Sequence, residues 1–207
     1  ESRAPNRGLM PHCRLLQLAI ILLLAVPLPL TALPAAEAVP PFGIGDWVVT
    51  GTETLIGQGV ILDGNLTVES GGSLTLVNST VQLLPGPHEL RVRSGGELRV
   101  LSGSSVGSFD STEKDQYRAG FWVESGAKSE VRNSSFNTIG IIYRWVGSTK
   151  MGGMCIYSNT AVLDNCTFSG SYIGLTLFGS VEVINCRFSE NGWAGAISYG
   201  ADTVWSN

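Results

Sequence analysis

The chain has 207 residues, 43% of them apolar and 14% charged, with 26 glycines, nine prolines and a net charge of −4. That apolar fraction excludes a disordered chain, which could not bury enough surface to offset its conformational entropy, and the lack of a Gly-X-Y period excludes collagen. The acidic balance, with no clustered basic residues, argues against a nucleic-acid partner.

Arg3, Arg7 and Arg14 precede or abut the apolar run Leu15–Val26, whose single polar member is Gln17. Pro27 and Pro29 stop any helix, and Ala36-Glu37-Ala38 has the small-x-small pattern that a signal peptidase reads. The run is short for a bilayer span. Residues 1–38 therefore read as a signal peptide with upstream residues, Met10 being the first residue able to initiate translation. The mature chain is expected to begin near Val39 and to be secreted or held at the cell surface, with no membrane span of its own.

The rest of the chain repeats itself. Leu66-Thr67-Val68-Glu69-Ser70-Gly71-Gly72-Ser73-Leu74-Thr75-Leu76 lies on Leu90-Arg91-Val92-Arg93-Ser94-Gly95-Gly96-Glu97-Leu98-Arg99-Val100. A third copy starts at Phe121-Trp122-Val123, and further copies start at Met154-Cys155-Ile156, Leu175-Thr176-Leu177 and Ala196-Ile197-Ser198. Aligning Val68, Val92, Val123, Ile156, Leu177 and Ser198 gives spacings of 24, 31, 33, 21 and 21 residues. Period-two alternation means strands, and glycines supply the bends between them. Short strands at this spacing predict a parallel β-solenoid.

A second landmark follows each second strand. Asn78, Asn133, Asn165 and Asn185 recur there, with Ser102 in copy two, and three residues beyond each Asn stands Val81, Phe136, Phe168 or Phe188. Asn tolerates the left-handed backbone of a sharp bend, and stacked amides can bond from coil to coil. These four Asn are expected to form an inward, inaccessible ladder. Ser79, Gly103, Ser134, Cys166 and Cys186 are expected as small interior residues, and the Phe residues as an apolar column.

Gly64–Leu76 and Val183-Ile184-Asn185-Cys186-Arg187-Phe188 resemble right-handed parallel β-helix repeats of the pectin-lyase-like superfamily, and especially large secreted or surface-attached proteins of archaea and bacteria. The resemblance runs from Trp47 to the end. It implies an all-β, right-handed parallel β-helix of about five to six coils. It also implies an N-terminal cap within residues 39–65, for which Gly45–Leu62 is the candidate, and coils over 66–207. The chain stops inside a copy, which reads as a fragment of a longer protein.

The superfamily includes lyases, hydrolases, adhesins and spacers, so fold alone does not define function. Its hydrolases use clustered Asp with Gly-His-Gly and Arg-x-Lys, and its lyases use calcium-binding carboxylates with Arg or Lys; neither pattern occurs here. No catalytic residue is therefore assigned. His88 reads as a loop residue rather than a catalytic base, which would need an orienting partner. Asp110, Glu113, Asp115 and Arg118, in or beside the insertion Ser108–Arg118, and Arg144, in the insertion Asn137–Gly153, are the alternatives for an irregular site. The three acids could hold calcium, but they lack the spacing of a calcium loop, and no cofactor or metal is assigned.

Met151-Gly152-Gly153-Met154-Cys155 offers soft ligands of the kind copper(I) takes, against which Met154 fills a core position. Cys166 and Cys186 lie one coil apart and read as reduced, buried thiols, with Cys155 left on the outward face. Among the sequons Asn65, Asn78, Asn133 and Asn165, only Asn65 is expected to accept a glycan. The outward column Glu69, Arg93, Glu124, Tyr157, Phe178 and Tyr199 ends in three aromatics, with Trp122 one column over. Trp122, Tyr157, Phe178 and Tyr199 form the candidate binding face for polysaccharide or a surface protein; the alternative, which needs no ligand, is that the rings stack between coils and stabilise the outer face. A structural module with such a face is the expected function; the alternative is the N-terminal part of a polysaccharide lyase or hydrolase.

Overall fold

The computed structural model describes residues 45–84, 86–109, 119–140, 144–146, 149–200 and 202–206. The expected signal peptide, and the insertion residues Asp110, Glu113, Asp115 and Arg118, lie outside the described residues. No helix among the described residues is long and apolar enough to cross a membrane.

Three short strands recur per coil. Coil one holds β1 (Trp47–Val49), β2 (Thr52–Ile56) and β3 (Gly59–Leu62), and coil two holds β4 (Leu66–Val68), β5 (Ser73–Val77) and β6 (Thr80–Leu83). Coil three is β7 (Glu89–Val92), β8 (Glu97–Leu101) and β9 (Ser105–Ser108); coil four is β10 (Gly120–Val123), β11 (Lys128–Arg132) and β12 (Ser135–Asn137). A hairpin, β13 (Arg144–Val146) and β14 (Thr149–Met151), interrupts before coil five, which is β15 (Met154–Ile156), β16 (Ala161–Asp164) and β17 (Thr167–Ser169). Coil six is β18 (Ile173–Leu177), β19 (Val181–Ile184) and β20 (Arg187–Ser189), and β21 (Ala194–Ser198) and β22 (Val204–Ser206) begin another turn.

Equivalent strands stack into three parallel sheets: the first runs β1-β4-β7-β10-β15-β18-β21, the second β2-β5-β8-β11-β16-β19-β22, and the third joins β3, β6, β9, β12, β17 and β20. This is a parallel β-helix. The expected column is in register, as Val49, Val68, Val92, Val123, Ile156 and Leu177 pair in succession and are buried. Each such side chain contributes roughly 1.5–3 kcal/mol by leaving water. Residues 47–62, where the sequence suggested a cap, carry a full coil whose strands pair with those of coil two. Gly71, Gly95 and Gly126 turn the chain between first and second strands with φ near 80° (82°, 80° and 82°), a backbone that side chains with a Cβ resist.

The interior Phe column is present. Phe136 lies 5.7 Å from Phe121 and 5.1 Å from Phe168, and Phe168 lies 5.3 Å from Phe188. In copy two the register differs from the expectation by one residue. Thr80 pairs with Ser105, so Ser104, not Gly103, is the counterpart of Ser79, and Val106 that of Val81. Ser102 and Gly103 are both left-handed, at φ 55° and 81°, and absorb the extra residue at the corner.

The Asn ladder needs a larger correction. Asn78, Asn133, Asn165 and Asn185 do adopt left-handed φ of 48°, 50°, 52° and 51°, yet all four side chains are exposed. In the left-handed conformation Cβ swings outward, and the next residue, not the Asn, enters the interior. One coil-to-coil amide bond of the expected ladder is present, Asn165 Nδ2 to Asn133 Oδ1, but on the outer side of the corner; Asn65 is also engaged, its Nδ2 donating to Asp46 Oδ1 at 3.0 Å and its Oδ1 accepting from Glu89 N at 2.9 Å.

Candidate functional site

The outer surface of the first sheet is set by alternation. Thr67, Arg91, Trp122, Cys155, Thr176 and Ile197 point away from the interior in one register. The next column lies at the corner after each first strand. There Glu124 N donates to Val92 O, Tyr157 N to Val123 O, Phe178 N to Ile156 O and Tyr199 N to Leu177 O.

The column divides by chemistry. On the earlier coils Arg93 lies 4.0 Å from Glu69 and 3.5 Å from Glu124, the alternating charge pairing expected of neighbouring strands. Arg91 adds a contact to Glu124 at 3.1 Å and lies 5.8 Å over the Trp122 ring. Trp122 is thereby tied to the ion-pair network. Its Nε1 sits against Gly120, where a Cβ would come within 2.7 Å of it.

On the later coils the rings stack. Tyr157 and Phe178 have centroids 4.4 Å apart at 5°, and Phe178 and Tyr199 are 5.3 Å apart at 13°. The ladder therefore spends most of its ring faces on itself and presents edges. Burial pushes the Tyr157 hydroxyl above its ordinary value, with the Cys155 thiol adding to the effect, so the group stays a neutral donor. Of the candidate face, Tyr157, Phe178 and Tyr199 are brought together, and Trp122 stands apart.

A second aromatic pair was missed in the sequence. Tyr172 and Trp193 stack at 6.3 Å and 10°, immediately before β18 and β21. Asn191 holds this corner: it accepts from Ser171 N at 3.1 Å and donates to Phe168 O at 3.0 Å. Counting forward from Phe168 and Phe188 hides the pair, because the second loop is one residue longer. Counting back from Leu175 and Ala196 places both rings three residues earlier. Trp193 is 48% exposed and Tyr199 46%. They flank β21 six residues apart, about 20 Å at 3.3 Å per residue.

Between the ladders, Cys155 takes the outward face that alternation gives it. Its position is outward by alternation, yet it is 1% exposed, because the chain returning from the β13–β14 hairpin covers it. Thr176 Oγ1 donates to Gly152 O at 2.7 Å and accepts from Gly152 N at 3.2 Å, while Cys155 Sγ donates to Gly152 O at 3.7 Å. Burial pushes the Cys155 thiol up to about 12. Met154 points inward, so it and Cys155 occupy opposite faces of β15 and cannot share a copper ion.

The backbone of Arg144 pairs with Met151 in the hairpin. His88 Nε2 lies 3.3 Å from Asp63 Oδ1. No group of three or more His, Cys, Asp or Glu among the described residues is placed to hold a metal ion.

A family model described as the right-handed beta helix region matches residues 64–204. The chain belongs to this right-handed β-helix family. No curated protein and no solved structure matches it significantly.

Proposed function

We propose that the chain is a structural module of a secreted or cell-surface protein, and that the first-sheet surface of its later coils binds polysaccharide. The observation carrying this reading is the pair of aromatic ladders, Tyr157–Phe178–Tyr199 and Tyr172–Trp193, at opposite ends of the same strands. Aromatic rings with polar edges suit sugar rings, which have apolar faces and hydroxyl rims. The roughly 20 Å between Trp193 and Tyr199 suits an extended chain crossing several strands. The leader-like segment before residue 39 supports the extracytoplasmic setting. Catalysis has no part in this reading, because an acid or base must stand within hydrogen-bond reach of the scissile group with a charge-stabilising partner. The regular coils instead pair their carboxylates with arginines.

A glycan array read beside a reducing-end release assay tests it, with and without calcium. Retention that weakens in Trp193→Ala and Tyr199→Ala, without release, is the expected result. Release that vanishes in Asp115→Asn or Arg118→Ala would replace this reading with an enzyme. Silence in both assays would leave a spacer.

A further inference from the structure

Cys166 and Cys186 occupy one corner position on adjacent coils: Thr167 pairs with Arg187, and Arg187 N donates to Cys166 O at 2.8 Å. In the three preceding coils this position holds Ser79, Ser104 and Ser134. The two thiols are unbonded. Strands in register hold stacked Cβ atoms about 4.8 Å apart, beyond the roughly 3.8 Å of a relaxed disulfide. A thiolate–metal bond is about 2.3 Å, so a linear sulfur–metal–sulfur unit spans about 4.6 Å. That span matches the coil repeat, and the disulfide does not.

The geometry points to Cys166 and Cys186 as a two-coordinate site for a soft monovalent cation of the copper(I) class. Binding forms two sulfur–metal bonds and releases both thiol protons to solvent, with no change of oxidation state. The thiols now donate to Val131 O, Asp164 O, Leu163 O and Ile184 O at 3.2–3.6 Å. Once the protons leave, those carbonyl oxygens turn their negative ends toward a cation. Cys186 borders a cleft of about 130 Å³ with Val183, Phe188, Trp205 and Ser206. The site is separate from Cys155, which lies under the Gly152–Gly153 segment.

The test titrates the reduced chain, without oxygen, with copper(I) supplied as its bicinchoninate complex. The wild type and Cys155→Ser should each withdraw one equivalent, while Cys166→Ser and Cys186→Ser withdraw at least tenfold less. Serine occupies this column in three coils, so these variants keep the fold; a melting curve with the parent's cooperativity checks it. Undiminished uptake by Cys166→Ser would overturn the site. So would a Cys166–Cys186 linked peptide in air-exposed protein, because it would place the sulfurs at bonding distance.

Discussion

Asn165 donates its side-chain amide to Asn133 Oδ1 at 2.7 Å, from one coil to the next, on the exposed side of the corner. Both residues are left-handed, at φ 52° and 50°. The bend and the amide bond are thus separable contributions. Alanine in a left-handed backbone costs about 1–2 kcal/mol, whereas glycine avoids that penalty. Asn133→Ala should lower stability to urea by about that amount, and Asn133→Gly should recover most of the loss. Equal losses in the two variants would assign the effect to the amide bond.

The same geometry reverses the expected order of glycosylation. Asn65 is held by Asp46 and Glu89, while Asn78, Asn133 and Asn165 are exposed. Expressed through a host that glycosylates secreted chains, the protein should carry a glycan at Asn78 in preference to Asn65. Intact mass should fall by one glycan in Asn78→Gln and stay unchanged, apart from the substitution, in Asn65→Gln.

Phe136 is fully buried between Phe121 and Phe168. Phe136→Ala would leave a cavity that the coils above and below, fixed by their ladders, cannot fill, and should cost about 3–5 kcal/mol. Phe188 is only half-buried, so Phe188→Ala should cost less. Urea denaturation of both variants gives the comparison, and equal losses would contradict the burial gradient.

On the second sheet Glu130 receives Arg132 Nε at 2.8 Å and Arg99 Nε at 2.9 Å, and Arg132 continues to Asp164 at 2.8 Å. The hydrogen bond from Arg132 is the main reason that the Glu130 carboxyl lies below its ordinary value, with Arg99 adding to it against partial burial. A lowered folded value means stabilisation that is full above the unfolded value of about 4.3 and is lost as pH falls through the folded one. Glu130→Gln should therefore be less stable than the parent at pH 7 and should flatten the acid limb. High salt should shrink the difference, since the network faces solvent.

The interior was legible because burial imposes a strict period: Val68 to Leu177, Met154 and the Phe column all fall where alternation and spacing put them. Inversion at the corners was not legible. A left-handed Asn and an inward Asn give the same spacing, and the choice depends on where Cβ points. The burial of Cys155 was not legible for a different reason. Alternation tells which face of β15 it takes, but the cover over that face comes from Gly152 and Gly153, whose path the repeat does not encode. The aromatic ladder was visible as a column, and its stacking is the cross-strand contact expected of aromatics on consecutive coils. The charge ladder on the second sheet needed both register and side-chain reach.

Cys186, Cys166 and Cys155 should react with a thiol reagent in a fixed order. The thiolate is the nucleophile, so labelling follows both exposure and acidity. Cys186 is half-buried on a cleft, and the hydrogen bond from Cys166 holds it down to about 7. Cys166 is buried, and that same hydrogen bond, together with burial, pushes it up. Cys155 is buried beneath Gly152 and pushed up to about 12 by loss of water. Iodoacetamide should therefore modify Cys186 first, with a rate that rises to half its plateau near pH 7. Cys166→Ala removes the donor and should move that midpoint up toward the ordinary thiol value of about 8.5. Cys155 should stay unmodified until the chain unfolds, and should then react together with Cys166 as denaturant is raised. Peptide mapping by mass spectrometry reads all three positions in one sample. Early labelling of Cys155 would mean that the cover over β15 opens in the native protein, and an unmoved midpoint in Cys166→Ala would remove the hydrogen bond as the cause of Cys186's acidity.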